Sequence, residues 1–230
     1  SKKLRIESKA MARITRVIIG VQARSGSSRL PNKGLKPMAG KPMIEWVLSA
    51  CEGAANYLNN RTHQLDKYVV DVRLLIPKND PIGDTIKSVV VKYGSEQDVL
   101  SRYVSLMTDE QPDYIARVTG DCPLIPDYVI SNMIMTAVKC NYDYMSNVDE
   151  ECRTAIDGVD CEVISNKAMT WLSQNVLGVG DKEHVTTMLR RNPPSWLRNG
   201  FSIGNFDFSG LKKSVDTEED FNRVEQELLK

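Results

Sequence analysis

The sequence lacks the features that mark membrane, zinc-binding and disulfide-bonded proteins. No apolar run approaches the roughly 18 residues that a membrane-spanning helix requires. The cysteines include no Cys-x-x-Cys pair, and only two histidines could join them as metal ligands. We therefore expect free thiols in a reducing compartment, no zinc cluster, and a cytoplasmic location. The cysteines are Cys51, Cys122, Cys140, Cys152 and Cys161, and the histidines are His63 and His184.

An excess of one charge is also missing, because 30 basic side chains balance 30 acidic ones. Proteins that coat duplex DNA or membrane surfaces usually carry a basic excess, so we expect neither nucleic acid nor a membrane as a partner. The first residues are basic but contain no apolar segment of a secretion signal. We expect an N-terminal extension or expression remnant over 1–15, with Met11 as a candidate start. A neutral chain still allows a small anion site.

What is present is an alternation of short β-branched runs with amphipathic segments over the first 140 residues. This pattern predicts an α/β fold with three layers, in which a mostly parallel sheet has helices on both faces. We expect one domain over 16–230, with an irregular polar excursion at 141–151 that leaves the main sheet. The predicted strands are 16–21, 67–76, 88–93, 113–118 and 159–164, with further strands at 202–208 and 213–215. The predicted helices are 42–53, one starting at 81, one opened by a capping box at 95–98, 126–140, 166–175, 181–191, and one opened by a capping box at 217–220.

Ligands of such sheets bind beyond the carboxyl ends of the strands, which draws attention to the loops 23–36 and 119–123. The first loop contains Gly26 and three serines, whose backbone N–H groups can surround an anion. It also carries Arg24, Arg29 and Lys33, which suit a polyphosphate. The spacing is neither that of a Walker A loop nor that of a Gly-x-Gly-x-x-Gly loop. From composition alone, a solvated basic loop is an equal alternative.

The loop QARSGSSRLPNK (22–33) and the following KPMAGKPMI (36–44) resemble the opening signature of the cytidylyltransferases that make CMP-activated sugar acids. Six further segments resemble the same family in the same order, and the nearest resemblance is to the SpsF-like branch of spore coat polysaccharide biosynthesis. These segments are GSEQDVLSRY (94–103), RVTGDCPL (117–124), DYMSN (143–147), GVDCEV (158–163), EHVT (183–186) and VDTEED (215–220). The resemblance implies a nucleotide-diphospho-sugar-transferase-like fold and transfer of CMP from CTP, with release of pyrophosphate.

The resemblance also implies roles for particular residues. Arg24, Lys33 and Asp121 match the catalytic positions, and Asp121 and Asp216 match the ligands of Mg²⁺, which favours carboxylates combined with phosphate oxygens. Without the resemblance, Asp121 could shape a turn and Asp216 could stabilise a helix start. The implied nucleotide-binding set is Ala23, Arg24, Ser25, Gly26, Ser27, Ser28, Arg29, Lys33, Arg117 and Asp121.

The sequence allows two roles for several polar residues. Arg117 would point towards the nucleotide or form a salt bridge, and Asp98 is best explained as part of a helix cap. Glu162 and Asp160 alternate with apolar residues, so they would contact an acceptor or face solvent. His184 would contact the acceptor or be structural. The candidate acceptor-binding residues are therefore Asn147, Asp160, Glu162 and His184.

The reaction we expect attaches CMP to a sugar acid or another small anionic acceptor in surface polysaccharide or glycoconjugate synthesis. A glycosyltransferase that consumes a nucleotide sugar is an alternative, although no Asp-x-Asp element is present. A non-catalytic nucleotide-binding protein on the same fold is a second alternative. The resemblance further implies a homodimer, with 141–165 as the candidate dimerisation and acceptor excursion.

Overall fold

The computed structural model describes residues 14–61 and 67–230, so most of the expected N-terminal extension and His63 lie outside the described part. The strands are β1 (Ile14–Gln22), β2 (Pro37–Met38), β3 (Lys41–Pro42), β4 (Lys67–Pro77), β5 (Val90–Gly94), β6 (Tyr114–Thr119), β7 (Tyr144–Ser146), β8 (Cys161–Ser165) and β9 (Asn199–Phe201). The helices are α1 (Met43–Asn59), α2 (Ile82–Thr85), α3 (Val99–Glu110), α4 (Asp127–Cys140), α5 (Asn166–Asn175), α6 (Val179–His184), α7 (Thr187–Arg191) and α8 (Glu218–Leu228). A short 3₁₀ helix covers Lys33–Leu35.

Seven strands form one twisted sheet in the order β5-β4-β1-β6-β8-β7-β9. The four strands β5, β4, β1 and β6 are parallel, whereas β8 runs antiparallel to both β6 and β7. The last residue of β1, Gln22, is level with Leu75 of β4 and with Thr119, the last residue of β6. The carboxyl ends of three neighbouring strands therefore meet at one edge, and the loops 23–36 and 119–123 start there together.

Helices cover both faces of the sheet, which confirms the three-layer, mostly parallel α/β fold. Alternate residues of β1 enter different cores: Val17 and Ile19 pack with α1 and α4 on one face, and Ile18 packs with α3 and α5 on the other. A third, smaller core joins α8 to the first loop through Leu30 and Phe221. The C-terminal helix thus packs against the first loop, which brings Asp216 close to it.

The predicted helix 42–53 is present as α1, but Pro42 is its N-cap and not part of its first turn, and the helix continues to Asn59. Its buried residues recur with helical spacing over the whole length. The two predicted helix caps also form. Asp98 accepts a hydrogen bond from the Ser101 backbone N–H (2.9 Å), although Asp98 is the N-cap itself and not the third residue of the helix. Thr217 and Asp220 form the predicted reciprocal capping box of α8.

Three predictions about the strands and the sheet were wrong. Residues 144–146 do not leave the sheet, because they form β7 between β8 and β9, and fully buried Tyr144 fixes that strand. The strand predicted at 202–208 does not form. The nearest strand, β9, ends at Phe201, and the apolar side chains that suggested the prediction are exposed. The strand predicted at 213–215 is absent from the described structure, where a single bridge joins Asp157 to Lys212.

The helix predicted over 181–191 is interrupted at Val185, which separates α6 from α7. Val185 has φ 61° and ψ −59°, and the Thr186 N–H donates to the His184 carbonyl at 2.6 Å. These values describe a γ-turn of the strained type, which is unfavourable for a β-branched residue. The side chain of Val185 is fully buried in the core beneath α3 and α5, and this packing holds the turn.

In the described ranges, no helix combines the length and the apolar character needed to cross a membrane.

Candidate active site

Two adjoining cavities lie where the carboxyl ends of β1 and β6 meet. The first measures about 420 Å³ and the second about 240 Å³. They share a boundary of five residues, so a molecule in one cavity can contact a molecule in the other. The shared residues are Arg117, Thr119, Asp121, His184 and Asp216. The sequence predicted four of these five as site residues.

The loop after β1 forms one wall of the first cavity. Seven of the predicted nucleotide-binding residues from this loop line it, namely Ala23, Arg24, Gly26, Ser27, Ser28, Arg29 and Lys33. The backbone N–H groups of Gly26, Ser28 and Arg29 donate to no acceptor within 14–61 and 67–230. The loop therefore presents free N–H donors and cations to the same space, which suits an anion with several oxygens.

A buried aspartate that the sequence analysis missed holds this loop. Asp80 accepts hydrogen bonds from the Ser25 N–H (2.8 Å), the Ser25 hydroxyl (3.0 Å) and the Ile82 N–H (3.0 Å). Ser25 is thus turned towards Asp80, and it is the one predicted loop residue that does not line the cavity. Its carbonyl accepts from the N–H groups of Ser27 and Asn32, which closes the loop on itself.

Replacing Asp80 by alanine should loosen the loop. Three donors lose their acceptor, and we expect the free energy of unfolding to fall by about 1–3 kcal/mol. Hydrogen exchange of the Ser25 amide should accelerate more than exchange in the sheet. Asp84→Ala is the matched control, since Asp84 is exposed and lines neither cavity. Equal exchange rates at Ser25 in the two variants would contradict the anchoring role of Asp80.

Arg102 is a second residue that the sequence analysis did not assign. It lies on the buried face of α3 and donates to the carbonyls of Ser95 (2.6 Å), Glu96 (3.1 Å), Leu75 (3.3 Å) and Ala23 (3.4 Å). Burial lowers the pKa of its guanidinium, in spite of nearby acidic groups. The signal in the sequence is an arginine three residues after Val99 within the apolar stripe of the helix. Arg102 ties α3 to the ends of β1 and β4 and lines the first cavity.

Cations and carboxylates alternate around the floor of the first cavity. The Lys33 Nζ lies 3.5 Å from Asp121 Oδ2 and 3.6 Å from Asp216 Oδ1, and it donates to the Val215 carbonyl at 2.5 Å. Arg29 contacts Asp216 Oδ1 at 3.0 Å, and Lys212 contacts Asp216 Oδ2 at 3.1 Å. Burial alone would raise the pKa of Asp216, but these three cations hold it below its usual value. Both predicted metal ligands are therefore near one point, with Asp216 ionised.

The second cavity is built on a buried carboxylate. Glu162 is 1% exposed, so the alternative that it faces solvent was wrong. It pairs with Arg117 from β6 and with Arg190 from α7, and Arg117 also donates to the Gln22 side chain. Tyr144 and Thr186 donate their hydroxyl protons to the same carboxylate. Arg117 thus makes the predicted salt bridge and also lines both cavities.

The other candidate acceptor residues differ in position. Asp160 lines the second cavity and pairs with Arg153 at 2.5 Å, and His184 lines both cavities. Asn147 lines neither cavity. Its amide accepts from the Cys161 N–H and donates to the Val159 carbonyl, each at 2.8 Å, and so fixes the start of β8. Arg24 reaches across the first cavity to Glu183 of α6 at 3.3 Å.

The sequence profile of a family described as cytidylyltransferase matches residues 17–58 and 78–228. A 3-deoxy-manno-octulosonate cytidylyltransferase of Alcanivorax borkumensis is 31% identical over 193 residues, which cover 83% of this chain and 68% of the relative. The spore coat polysaccharide biosynthesis protein SpsF of Bacillus subtilis is 25% identical over 217 residues, covering 90% and 84%.

Two solved structures share the fold. A cytidylyltransferase from Leptospira borgpetersenii superposes with a TM-score of 0.79 at 23% identity, covering 92% of this chain and 85% of that one. A CMP:2-keto-3-deoxy-manno-octonic acid synthetase complexed with CTP superposes with a TM-score of 0.66 at 15% identity, covering 94% and 99%.

A loop with free N–H donors and cations at the carboxyl edge of a parallel sheet, facing two carboxylates, suits a nucleotidyltransferase enzyme. Because the matching profile spans most of the chain and includes both the loop and the two aspartates, the chain belongs to the cytidylyltransferase family. The resemblance seen in the sequence motifs is thereby confirmed, and the activity is that of a cytidylyltransferase.

Proposed function

We propose that the enzyme transfers CMP from CTP to a small anionic acceptor, such as a sugar acid, and releases pyrophosphate. One observation carries the proposal: the loop cations Arg24, Arg29 and Lys33 and the carboxylates Asp121 and Asp216 surround a single cavity. The relatives add support, because one is named for 3-deoxy-manno-octulosonate and one solved neighbour is a complex with CTP.

The triphosphate of CTP would lie in the first cavity along the loop after β1. The free N–H groups of Gly26, Ser28 and Arg29 would each donate to a phosphate oxygen. Arg24 and Lys33 would hold the β- and γ-phosphates and stabilise the negative charge of the departing pyrophosphate. Arg29 and Lys33 now contact carboxylates, so these cations are already held close to where the phosphates would lie.

The residues present also fit a Mg²⁺ ion. Asp121 and Asp216 lie 3.5 Å and 3.6 Å from the same Lys33 ammonium group, and the Val215 N–H donates to the Asp121 carbonyl at 2.8 Å, which ties the two loops together. Two carboxylates combined with phosphate oxygens form a common Mg²⁺ site. Mg²⁺, when bound, would supply positive charge against the phosphate oxygens.

In the reaction, an acceptor oxygen attacks the α-phosphorus of CTP. A new phosphorus–oxygen bond forms, the bond to the β-phosphate oxygen breaks, and pyrophosphate leaves with that electron pair. Catalysis by this chain then consists of positioning and electrostatic stabilisation. An acceptor in the second cavity would reach the α-phosphate across the boundary that the two cavities share, which includes Arg117 and His184.

The remaining parts of the assignment are proposals of the same kind. A role in surface polysaccharide or glycoconjugate synthesis is supported by the name of the SpsF relative, and a cytoplasmic location is supported by the free cysteines. A homodimer is also proposed, although 144–146 and 161–165 are buried strands of the sheet. The exposed apolar side chains that follow β9, namely Ile203, Phe206, Phe208 and Leu211, offer a surface for it. Sedimentation equilibrium would measure the association.

Thermal stabilisation by nucleotides tests the proposed donor. At 100 times its dissociation constant, CTP with Mg²⁺ should add about 2.7 kcal/mol to the free energy of unfolding, which raises the melting temperature. UTP, ATP and GTP should add less. Arg24→Ala should reduce the stabilisation by CTP, because it removes a cation from the phosphate site.

Arg191→Ala provides the control, since Arg191 is exposed on α7 and lines neither cavity. Stabilisation by UDP- or GDP-sugars in place of CTP would favour a glycosyltransferase. Binding of CTP without pyrophosphate release for any acidic acceptor would favour a non-catalytic nucleotide-binding protein. Either result would reject the proposed transfer.

A further inference from the structure

The second cavity is lined by an ion triplet, in which Glu162 pairs with both Arg117 and Arg190. Glu162 Oε1 accepts from Tyr144 Oη at 2.5 Å, from Thr186 Oγ1 at 2.7 Å and from Arg190 Nη1 at 2.9 Å. Its other oxygen, Oε2, accepts from Arg117 Nη1. Both oxygens of the carboxylate therefore accept hydrogen bonds from the protein, and the carboxylate joins two guanidinium groups.

The triplet carries a net charge of +1, because two guanidiniums face one carboxylate. Each arginine keeps free N–H donors after its internal bonds are counted. Among the described residues, Arg117 Nη2 has no acceptor, and neither Arg190 Nε nor Arg190 Nη2 has one. Both side chains line the second cavity. A surplus positive charge with unused donors at a cavity wall is the chemistry that binds an oxyanion.

The other carboxylates of this cavity restrict the charge of that oxyanion. Asp160 and Asp157 share one cation, Arg153, at 2.5 Å and 4.0 Å. Asp121 and Asp216 face Lys33 and the phosphate site. A second negative charge on the ligand would lie near these acids and be repelled. A planar, singly charged carboxylate fits better than a phosphate dianion, while hydroxyl groups of the same ligand could donate to Asp160.

We propose that Arg190, together with Arg117, binds the carboxylate of the acceptor in the second cavity, and that Glu162 is a positioning residue that holds both arginines. The proposal rests on the proposed function, since it identifies the second cavity as the acceptor side. It also explains why Glu162, predicted as an acceptor contact, is buried without a free oxygen: it acts through its two arginines.

Binding of small carboxylates tests this directly and does not require the natural acceptor. The probes are pyruvate, 3-deoxy-manno-octulosonate, inorganic phosphate and neutral acetamide, each titrated in the presence of saturating CMP and followed by ligand-detected NMR. We expect the wild type to bind both carboxylates and not acetamide. Arg190→Gln should weaken carboxylate binding at least 10-fold, because a buried charge-assisted pair is lost.

Arg191→Gln is the matched control, because it removes the same charge from the next residue of α7, which lines neither cavity. Its carboxylate affinity should stay within about twofold of the wild type. Arg190→Lys keeps the charge but loses the planar pair of donors, and it should weaken binding by an intermediate factor. This variant also serves if Arg190→Gln does not fold.

The positioning role of Glu162 needs a readout that a general loss of structure would not give. Glu162→Gln should weaken pyruvate binding by a larger factor than CTP binding, because only Arg117 of the two arginines also lines the first cavity, and Glu162→Asp should restore part of the pyruvate affinity. Unchanged pyruvate affinity in Arg190→Gln, tighter Arg190-dependent binding of phosphate than of pyruvate, or no carboxylate binding by the wild type would each overturn the proposal. If the wild type does not bind CTP, the proposed function itself is rejected.

Discussion

Replacing Asp121 by asparagine is expected to lower the rate of CMP transfer by about 100- to 1,000-fold, the usual cost of removing one electrostatic group from a catalytic site. Asp121 lies in the loop after β6, two residues beyond the strand, and lines both cavities. Its carboxylate is the nearer of two to Lys33, at 3.5 Å. Asparagine has the same shape but lacks the charge that would hold Mg²⁺ opposite the phosphates.

The fold should tolerate this change. Lys33 keeps its bond to the Val215 carbonyl and its pairing with Asp216, so the free energy of unfolding should change by less than about 1 kcal/mol. Pyrophosphate release at saturating CTP measures the rate, and Asp84→Asn is the matched control. A variant that retains more than a tenth of wild-type turnover would show that Asp121 is not a metal ligand.

The second large effect is on stability. Glu162→Ala should lower the free energy of unfolding by about 3–5 kcal/mol, because it leaves two arginine side chains, only 13% and 21% exposed, without their shared partner. Chemical denaturation monitored by circular dichroism measures the loss. Glu218→Ala is the control: Glu218 pairs with Lys36 at the surface, and its removal should cost less than about 1 kcal/mol. Similar losses in both variants would contradict the buried ion triplet.

The stability that Glu162 provides should depend on pH in one direction. Burial alone would raise the pKa of this carboxyl, but Arg117, Arg190 and the hydroxyls of Tyr144 and Thr186 hold it below its usual value. A group with a lowered folded-state pKa stabilises the fold fully above its unfolded-state pKa, near 4.3, and loses this contribution as the pH falls through the folded-state value. The wild type should therefore lose stability on acidification below about pH 5 more steeply than Glu162→Ala.

The parts of the fold that could be predicted are those in which local pattern and tertiary environment agree. The alternation of apolar strands and amphipathic helices gave the three layers, and the loop after β1 was recognisable from Gly26 and its cations. β7 was missed because only three residues pair, between polar Asp143 and Asn147. The strand predicted at 202–208 failed for the opposite reason, since its apolar residues face solvent.

The candidate site was predictable where one loop carries the chemistry and unpredictable where distant segments meet. Asp121 was identifiable from its own motif. Asp80 and Arg102 were not, because their importance comes from bonds to Ser25 and to the ends of β1 and β4. The burial of Glu162 likewise depends on partners 18 to 45 residues away, which no local pattern reveals.

The two cavities are lined by different parts of the sequence, which divide near the point where strand direction reverses between β6 and β8. The walls found only in the first cavity come mainly from residues 22–120, whereas those found only in the second come from residues 122–214. A single continuous stretch, from the turn after α4 to Ser214, therefore supplies every residue found only in the second cavity except Cys122. Recombination at its two ends would exchange most of the second cavity, including Glu162 and Arg190, while Arg117 and the loop after β1 stay unchanged, which gives this topology a simple route to new products.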